Sequence, residues 1–111
     1  MHDPSGWDPA LQGLNGLPGG ALNIAHEAGD RHAAGALRDA IALRVLHRDD
    51  RITELTYGEL RTRSDRFASV LAALGVKRGE RVFNLTGRIP ELYVTAIGTL
   101  KGGAVFCPLF S

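Results

Sequence analysis

The sequence is poor in cysteine, in net charge and in long apolar runs, and each scarcity excludes a class of protein. The single cysteine, Cys107, cannot close a disulfide within the chain, which excludes a module stapled by internal disulfides. Thirteen Lys and Arg residues oppose twelve Asp and Glu residues, and a formal charge of +1 gathers neither nucleic acid nor an anionic membrane surface. No apolar run approaches the roughly 20 residues that span a bilayer, and residues 1–4 lack the basic start of a secretory signal. We therefore expect a cytoplasmic protein with no nucleic-acid or membrane partner.

Composition divides the 111 residues into a leader and a remainder that resembles a globular domain. Residues 1–20 hold five Gly and three Pro, and such a segment loses much backbone entropy on ordering while it buries few side chains. We therefore predict a flexible, mostly irregular leader over residues 1–20. Residues 21–111 are long enough for one small domain or for part of a larger one.

A short helix and a β-hairpin are predicted at the start of this remainder. Apolar residues recur at helical spacing over residues 23–33, although Gly29 weakens that helix. Residues 41–46 and 52–56 are strand-like runs that flank a polar turn, and they predict two antiparallel strands.

The most strongly marked element is a helix that begins after Thr56. Thr56 and Glu59 have the spacing of a capping box, and Gly75 supplies a left-handed stop. The apolar face of this helix is predicted from residues that recur at intervals of three and four, namely Leu60, Ser64, Phe67, Leu71 and Leu74.

The last third of the sequence has the pattern of a βαβ unit. Strand-like runs at residues 81–86 and 104–107 flank a helix at residues 90–101, in which Pro90 takes the first helical position. Val94 lies on the other side of this helix from its apolar face. The apolar face consists of Leu92, Tyr93, Ala96, Ile97 and Leu100. The two strands of such a unit are parallel, and parallel strands normally have both faces covered. Because too few helices are predicted to cover them, we expect an α/β fold that is incomplete, with an exposed strand edge open to self-association.

One loop of the βαβ unit is the candidate binding site. Residues 86–88 follow a parallel strand and open a helix, where ligands of open α/β sheets bind, so that Arg88 could contact a phosphate or a carboxylate. The alternative is that Arg88 is a solvated loop residue. Cys107 lies in an apolar run, which predicts a buried, inert thiol, and the spacing of His26 and His32 does not favour a metal site. We assign no catalytic residue, because no nucleophile–base set and no carboxylate pair is recognisable.

Four blocks of the sequence resemble AMP-forming acyl-CoA synthetases. Residues 55–60 (LTYGEL) and 100–109 (LKGGAVFCPL) resemble the first two core motifs of adenylate-forming enzymes. Residues 81–83 and 88–93 resemble the segment that lies between these motifs in the family. Residues 22–33 (LNIAHEAGDRHA) are similar to an early segment of acetyl-CoA synthetases. Because the blocks follow in the family's order, the chain resembles the N-terminal part of an AMP-forming acyl-CoA synthetase, most like an acetate–CoA ligase.

The resemblance implies an enzyme that joins acetate, or another small carboxylate, to ATP and passes the acyl group to coenzyme A. Mg²⁺ would neutralise phosphate charge in that reaction. The catalytic motifs of the family lie farther along the chain and have no counterpart in these 111 residues, which implies that the chain alone is inactive. The motif residues that are present are expected to serve as scaffold, namely Thr56, Tyr57, Glu59, Leu60, Gly102, Gly103 and Pro108. The two glycines are expected to let the chain turn into the last strand.

Two alternatives stay open on the sequence alone. A medium-chain or other acyl-CoA ligase shares these early motifs, and the acyl pocket that separates it from an acetate enzyme is built by residues not present. The other alternative is a stand-alone interaction module that binds a partner through its exposed strand edge.

Overall fold

The computed structural model describes residues 6–109. Their elements in chain order are α1 (Trp7–Gln12), a π-helical turn (His26–Asp30) that continues into α2 (Arg31–Ala33), β1 (Ile41–Leu46), β2 (Ile52–Thr56), α3 (Tyr57–Ala73), β3 (Arg81–Asn84), α4 (Pro90–Lys101) and β4 (Val105–Pro108). The strands form two separate two-stranded sheets, β1–β2 and β3–β4, and α3 packs against α4 between them. Within the described range, no helix has both the length and the hydropathy needed to cross a bilayer.

β1 and β2 pair antiparallel, which confirms the predicted hairpin and both of its strand ranges. Leu46 lies opposite Ile52, and Arg44 lies opposite Glu54 on the same face. The Arg44 guanidinium donates to Glu54 Oε2 over 2.8 Å, an oppositely charged cross-strand pair of the kind that stabilises a hairpin. The outer face of the hairpin therefore combines an ion pair with two exposed apolar side chains.

β3, α4 and β4 form the predicted βαβ unit, and their two strands are parallel. β3 ends at Asn84, two residues earlier than predicted, because the Asn84 side chain turns to its neighbours. Its Nδ2 donates to Thr95 Oγ1 at 3.0 Å, and its Oδ1 accepts from Thr86 Oγ1 at 2.8 Å. These bonds close a local turn in place of further strand.

α3 begins at the predicted capping box. Thr56 Oγ1 accepts from the Glu59 backbone N–H at 3.1 Å, and Glu59 Oε1 accepts from the Thr56 N–H at 3.3 Å. The chain leaves the helix through Gly75 at φ +82°, as predicted. Leu60 is buried, but Leu74 is 74% exposed. The predicted apolar face is therefore buried at Leu60 and uncovered at Leu74, where α3 ends.

α3 and α4 cross where both helices carry small residues. Ser64 and Gly98 are buried, and a Cβ on Gly98 would lie 2.8 Å from the Ser64 carbonyl oxygen and 2.9 Å from Phe67 Cδ1. The two backbones approach this closely only because position 98 has no side chain. The most buried side of α4 therefore includes Val94 and Gly98, whereas Tyr93 on the predicted main face is exposed.

The residues before β1 differ in part from the predictions. Trp7–Gln12 form α1, a short helix within the leader that the sequence did not indicate, while residues 1–5 lie outside the described range. The flexibility of the leader stays a prediction. The helix predicted over residues 23–33 is present from residue 24, but its centre is a π-helical turn in which Gly29 is buried.

The core is small, and one face of the parallel sheet lies bare. Leu55, Leu60 and Val94 form its buried cluster, and the Cα radius of gyration is 15.6 Å, against about 13 Å for a compact domain of about 100 residues. One face of β3–β4 packs on α4, and the other exposes apolar side chains, namely Phe83, Leu85, Val105 and Leu109. We call these four exposed side chains the bare sheet face. Since two of them belong to the end of the chain, the last strand is not buried as predicted.

We predict that Gly98→Ala destabilises the chain. Alanine stabilises a helix relative to glycine by roughly 0.5–1 kcal/mol, but overpacking at the crossing costs about 1–3 kcal/mol. Because the cost is the larger of the two, the free energy of unfolding should fall. Urea unfolding followed by circular dichroism measures the change.

Gly102→Ala is the matched control for that variant. Gly102 has φ −78°, and an added Cβ would meet its nearest neighbour, the Thr99 carbonyl oxygen, at 3.8 Å, an ordinary contact. A Gly98→Ala variant as stable as Gly102→Ala, or more stable, would contradict the tight crossing.

Candidate functional site

Arg88, the candidate binding residue, lies on the loop between β3 and α4, and its side chain is exposed. It borders a pocket of about 500 Å³ whose other lining residues are Leu46, His47 and Arg48. The structure therefore brings the turn after β1 to the loop after β3, which the sequence does not indicate. Whether Arg88 binds an anion stays a prediction.

The first motif, residues 55–60, builds the joint between the hairpin and α3. Leu55 and Leu60 are buried in the core, and the Tyr57 ring lies 5.2 Å from the His32 ring, centroid to centroid. Gly58 donates its backbone N–H to the Arg38 carbonyl at 2.9 Å. The motif thus holds β2, α3 and the segment before β1 together.

The second motif turns the chain from α4 into β4 through one glycine of its pair. Gly103 has φ +76°, and a Cβ there would lie 3.0 Å from Arg78 Cγ. Gly102 lies in the same turn but in the right-handed helical region, which any residue can adopt, so Gly103 is the position whose backbone favours glycine. Pro108 lies at the exposed end of β4, and the ladder continues beyond it because Leu109 donates to the Asn84 carbonyl at 2.8 Å.

The segment of residues 22–33 ties distant parts of the chain together. Asn23 Oδ1 accepts from the backbone N–H groups of Ala25 and His26 at 2.9 and 3.2 Å, as a helix cap does. Asn23 Nδ2 donates to the Leu100 carbonyl at the end of α4, at 2.9 Å. One amide therefore begins this helix and fixes it to the βαβ unit.

Glu27, in the same segment, holds the leader. Its carboxylate accepts from the backbone N–H groups of Asn15 and Gly16 at 2.6 and 3.0 Å, and it pairs with Arg31 at 3.0 Å. The hydrogen bond from the Asn15 N–H is the main cause that lowers the pKa of Glu27 below its ordinary 4.5. Gly16 and Arg31 lower this pKa further, whereas desolvation by burial partly opposes them. The carboxylate is therefore charged at neutral pH and anchors residues 15 and 16.

Lys101 links three elements at the far end of α4. Its Nζ lies 2.9 Å from Asp30 Oδ1 and 2.6 Å from Asp65 Oδ1, and its side chain is 11% exposed. Asp30 closes the π-helical turn and Asp65 lies on α3, so one ammonium bridges both carboxylates. Sequence reasoning missed this cluster, because its three members lie far apart along the chain.

No group of three His, Cys, Asp or Glu side chains among residues 6–109 could hold a metal ion. His26 contacts Asn15 Oδ1 at 2.6 Å and His47 contacts Thr53 Oγ1 at 2.7 Å, so both rings serve local structure. Cys107 is half-buried, less enclosed than predicted.

Comparisons with known proteins agree on one family. The family profile described as AMP-binding enzyme matches residues 30–111. The chain is similar to acetyl-coenzyme A synthetase of Bacillus subtilis, with 37% identity over 107 residues, 94% of this chain and 18% of the relative. It is similar to that of Methanothrix soehngenii at 36% identity over 106 residues, 94% of this chain and 16% of the relative.

Solved structures place the same segment in the same architecture. A Brucella canis acyl-CoA synthetase has a TM-score of 0.82 and 35% identity, and the match covers 99% of this chain and 19% of that one. Acetoacetyl-CoA synthetase from Streptomyces lividans has a TM-score of 0.74 and 32% identity over 80% of this chain and 14% of that one. The chain thus spans less than a fifth of the length of these proteins.

We predict that Glu27→Gln loosens the leader. Removing the charge weakens the bonds from Asn15 and Gly16, because charge-assisted hydrogen bonds are the stronger kind. Amide hydrogen exchange, corrected for intrinsic rates, should be several-fold faster at both positions.

The pH dependence of this anchor has a defined sign. Since the folded pKa of Glu27 lies below the unfolded value, its stabilisation is present above the unfolded pKa and is lost as pH falls through the folded pKa. Protection of the Asn15 and Gly16 amides should fall as pH is lowered below the ordinary Glu value of 4.5, and should change little in Glu27→Gln. Equal loosening in Glu54→Gln, which removes an exposed carboxylate of the hairpin, would contradict a local anchor.

Proposed function

The chain belongs to the family of AMP-binding enzymes, and on that premise we propose that it forms the N-terminal part of an AMP-forming acetate–CoA ligase. The resemblance inferred from the four sequence blocks is confirmed by that family match. The whole enzyme would convert acetate, ATP and coenzyme A to acetyl-CoA, AMP and pyrophosphate, with Mg²⁺ neutralising phosphate charge. Residues 6–109 would contribute scaffold to that enzyme, and we place it in the cytoplasm.

The observation that carries the proposal is the match to acetyl-coenzyme A synthetases along nearly the whole chain. Two such relatives, from a bacterium and from Methanothrix, align over 94% of it at 36–37% identity. The bare sheet face supports the reading as one part of a larger fold, because parallel strands are normally covered on both sides.

The motif residues suit a scaffold because each already has a partner within this chain. Thr56 and Glu59 cap α3, Leu60 fills the core, and Gly103 turns the chain beside Arg78. Thr56 and Glu59 also line a groove at the start of α3, but the hydroxyl and the carboxylate are both engaged in the cap. Carboxylate activation would therefore depend on residues outside the chain.

A second candidate differs from the first in the acid that the enzyme activates. Similarity to acyl-CoA and acetoacetyl-CoA synthetases keeps a medium-chain or other acyl-CoA ligase as the second candidate. Reading the gene beyond position 111 distinguishes the candidates. A bulky Trp in the acyl pocket favours acetate and a Gly favours longer acids, whereas a stop codon directly after Ser111 favours a stand-alone interaction module.

A chimera tests the proposed function. Residues 22–109 replace the aligned segment of Bacillus subtilis acetyl-coenzyme A synthetase, and acetate-dependent ATP–pyrophosphate exchange is measured. We expect exchange by the chimera and none by the isolated chain.

Gly103→Val in the chimera is the matched negative control. Valine at position 103 would have to adopt a positive φ and would contact the Arg78 side chain, so this variant should abolish pyrophosphate exchange. Gly102→Ala should retain pyrophosphate exchange. Exchange by the isolated chain, or a folded chimera that never exchanges pyrophosphate, would contradict the proposal.

We also predict that the isolated chain self-associates through the bare sheet face. Phe83 and Leu85 are 63% and 65% exposed on a sheet whose strands both lie at an edge. Phe83→Lys should shift the chain toward monomer in sedimentation velocity at fixed concentration.

Leu74→Lys is the control for self-association, because Leu74 is equally apolar and 74% exposed but lies on α3. It should leave the distribution unchanged. A wild-type chain that sediments as a monomer at all concentrations would refute the prediction.

A further inference from the structure

The pocket beside Arg88 combines basic groups from two segments that are distant in sequence. Leu46 ends β1, His47 and Arg48 begin the turn that follows it, and Arg88 comes from the loop after β3. The volume of about 500 Å³ falls within the range of small-molecule sites. No carboxylate lines it, so its walls carry only positive, titratable or apolar groups.

Arg48 and Arg88 differ from the paired arginines of this chain. Three others contact carboxylates over 2.7–3.0 Å, namely Arg31 with Glu27, Arg44 with Glu54 and Arg51 with Asp49. Arg48 and Arg88 have no hydrogen bond or ion pair with any residue between 6 and 109. Two guanidinium groups at one pocket without a counter-charge repel each other, and a bound anion would relieve that repulsion.

The neighbouring carboxylates do not supply the missing charge. Asp49 receives the Arg51 Nε–H at 2.7 Å, and this bond is the main cause that lowers the pKa of Asp49. Asp49 therefore stays ionised and paired with Arg51. Asp50 and Glu91, next to the two segments in sequence, do not line the pocket.

A second arginine-rich groove differs from the Arg88 pocket because carboxylates belong to its lining. At the start of α3, Arg38, Arg63 and Arg66 border a groove with two carboxylates, Asp39 and Glu59. Two of the three positive charges in that lining are therefore offset. The lining of the Arg88 pocket contains no carboxylate, which makes it the better candidate for an anion site.

We infer that the pocket binds a phosphate monoester, with the phosphate between Arg48 and Arg88 and the organic part against Leu46. Guanidinium groups match phosphate oxygens in a bidentate geometry, and a dianion compensates two of them. Leu46 is 72% exposed and offers an apolar wall that inorganic phosphate would not use. His47, held by Thr53, closes one side. The site requires only residues of this chain and does not depend on which acid the whole enzyme activates.

Three probes test this site: phenyl phosphate, inorganic phosphate and phenol. They are titrated into the ¹⁵N-labelled full chain at low ionic strength, and amide shifts of residues 46–48 and 86–90 are followed. We expect saturable binding of phenyl phosphate, several-fold weaker binding of inorganic phosphate and no binding of phenol. Arg88→Gln and Arg48→Gln should each weaken phenyl phosphate about tenfold or more, the loss of one charge-assisted pair.

Arg66→Gln is the matched control, because it removes an equal charge from an exposed helix position outside this pocket. It should change the affinity less than about twofold, as expected for a screened distant charge. Equal weakening by Arg66→Gln, or shifts that never saturate, would overturn the site as a non-specific charge effect. Inorganic phosphate binding as tightly as phenyl phosphate would overturn the monoester assignment.

Discussion

The close crossing of α3 over α4 is the contact on which the rest of the described structure depends. The two sheets share no hydrogen bond, so the hairpin and the βαβ unit are joined through their helices. α3 continues directly from β2, and α4 connects β3 to β4. The absence of a side chain at Gly98 lets α4 approach Ser64, and this brings Val94 into the buried cluster with Leu55 and Leu60.

Polar contacts of residues 22–33 then hold the helix pair to the rest of the chain. Asn23 reaches the end of α4, Glu27 reaches the leader, and Asp30 meets Lys101. A core of so few apolar residues gives little specificity of its own, so hydrogen bonds and ion pairs fix the relative positions of the elements. Residues 22–33, which resemble an early segment of acetyl-CoA synthetases, therefore have a structural role: they hold the leader and the helix pair together.

Local signals were sufficient for much of the fold. The capping box at Thr56, the stop at Gly75 and the proline that starts α4 act within a few residues, and each predicted element they mark is present. Tertiary properties were not accessible in this way. Periodicity could not distinguish covered Leu60 from uncovered Leu74, because coverage depends on where the partner helix ends. Of the candidate site, the loop position of Arg88 followed from strand-to-helix topology, but its proximity to Arg48 required the three-dimensional arrangement of the hairpin.

The hydrogen bond between Asn23 and Leu100 joins positions 77 apart in sequence and has a consequence for synthesis on the ribosome. Because a chain emerges from its amino end, the hairpin and α3 can form while α4 is still unmade. The early helix cannot acquire its anchor until residue 100 has left the exit tunnel. We therefore expect the early helix to dock only after α4 has emerged.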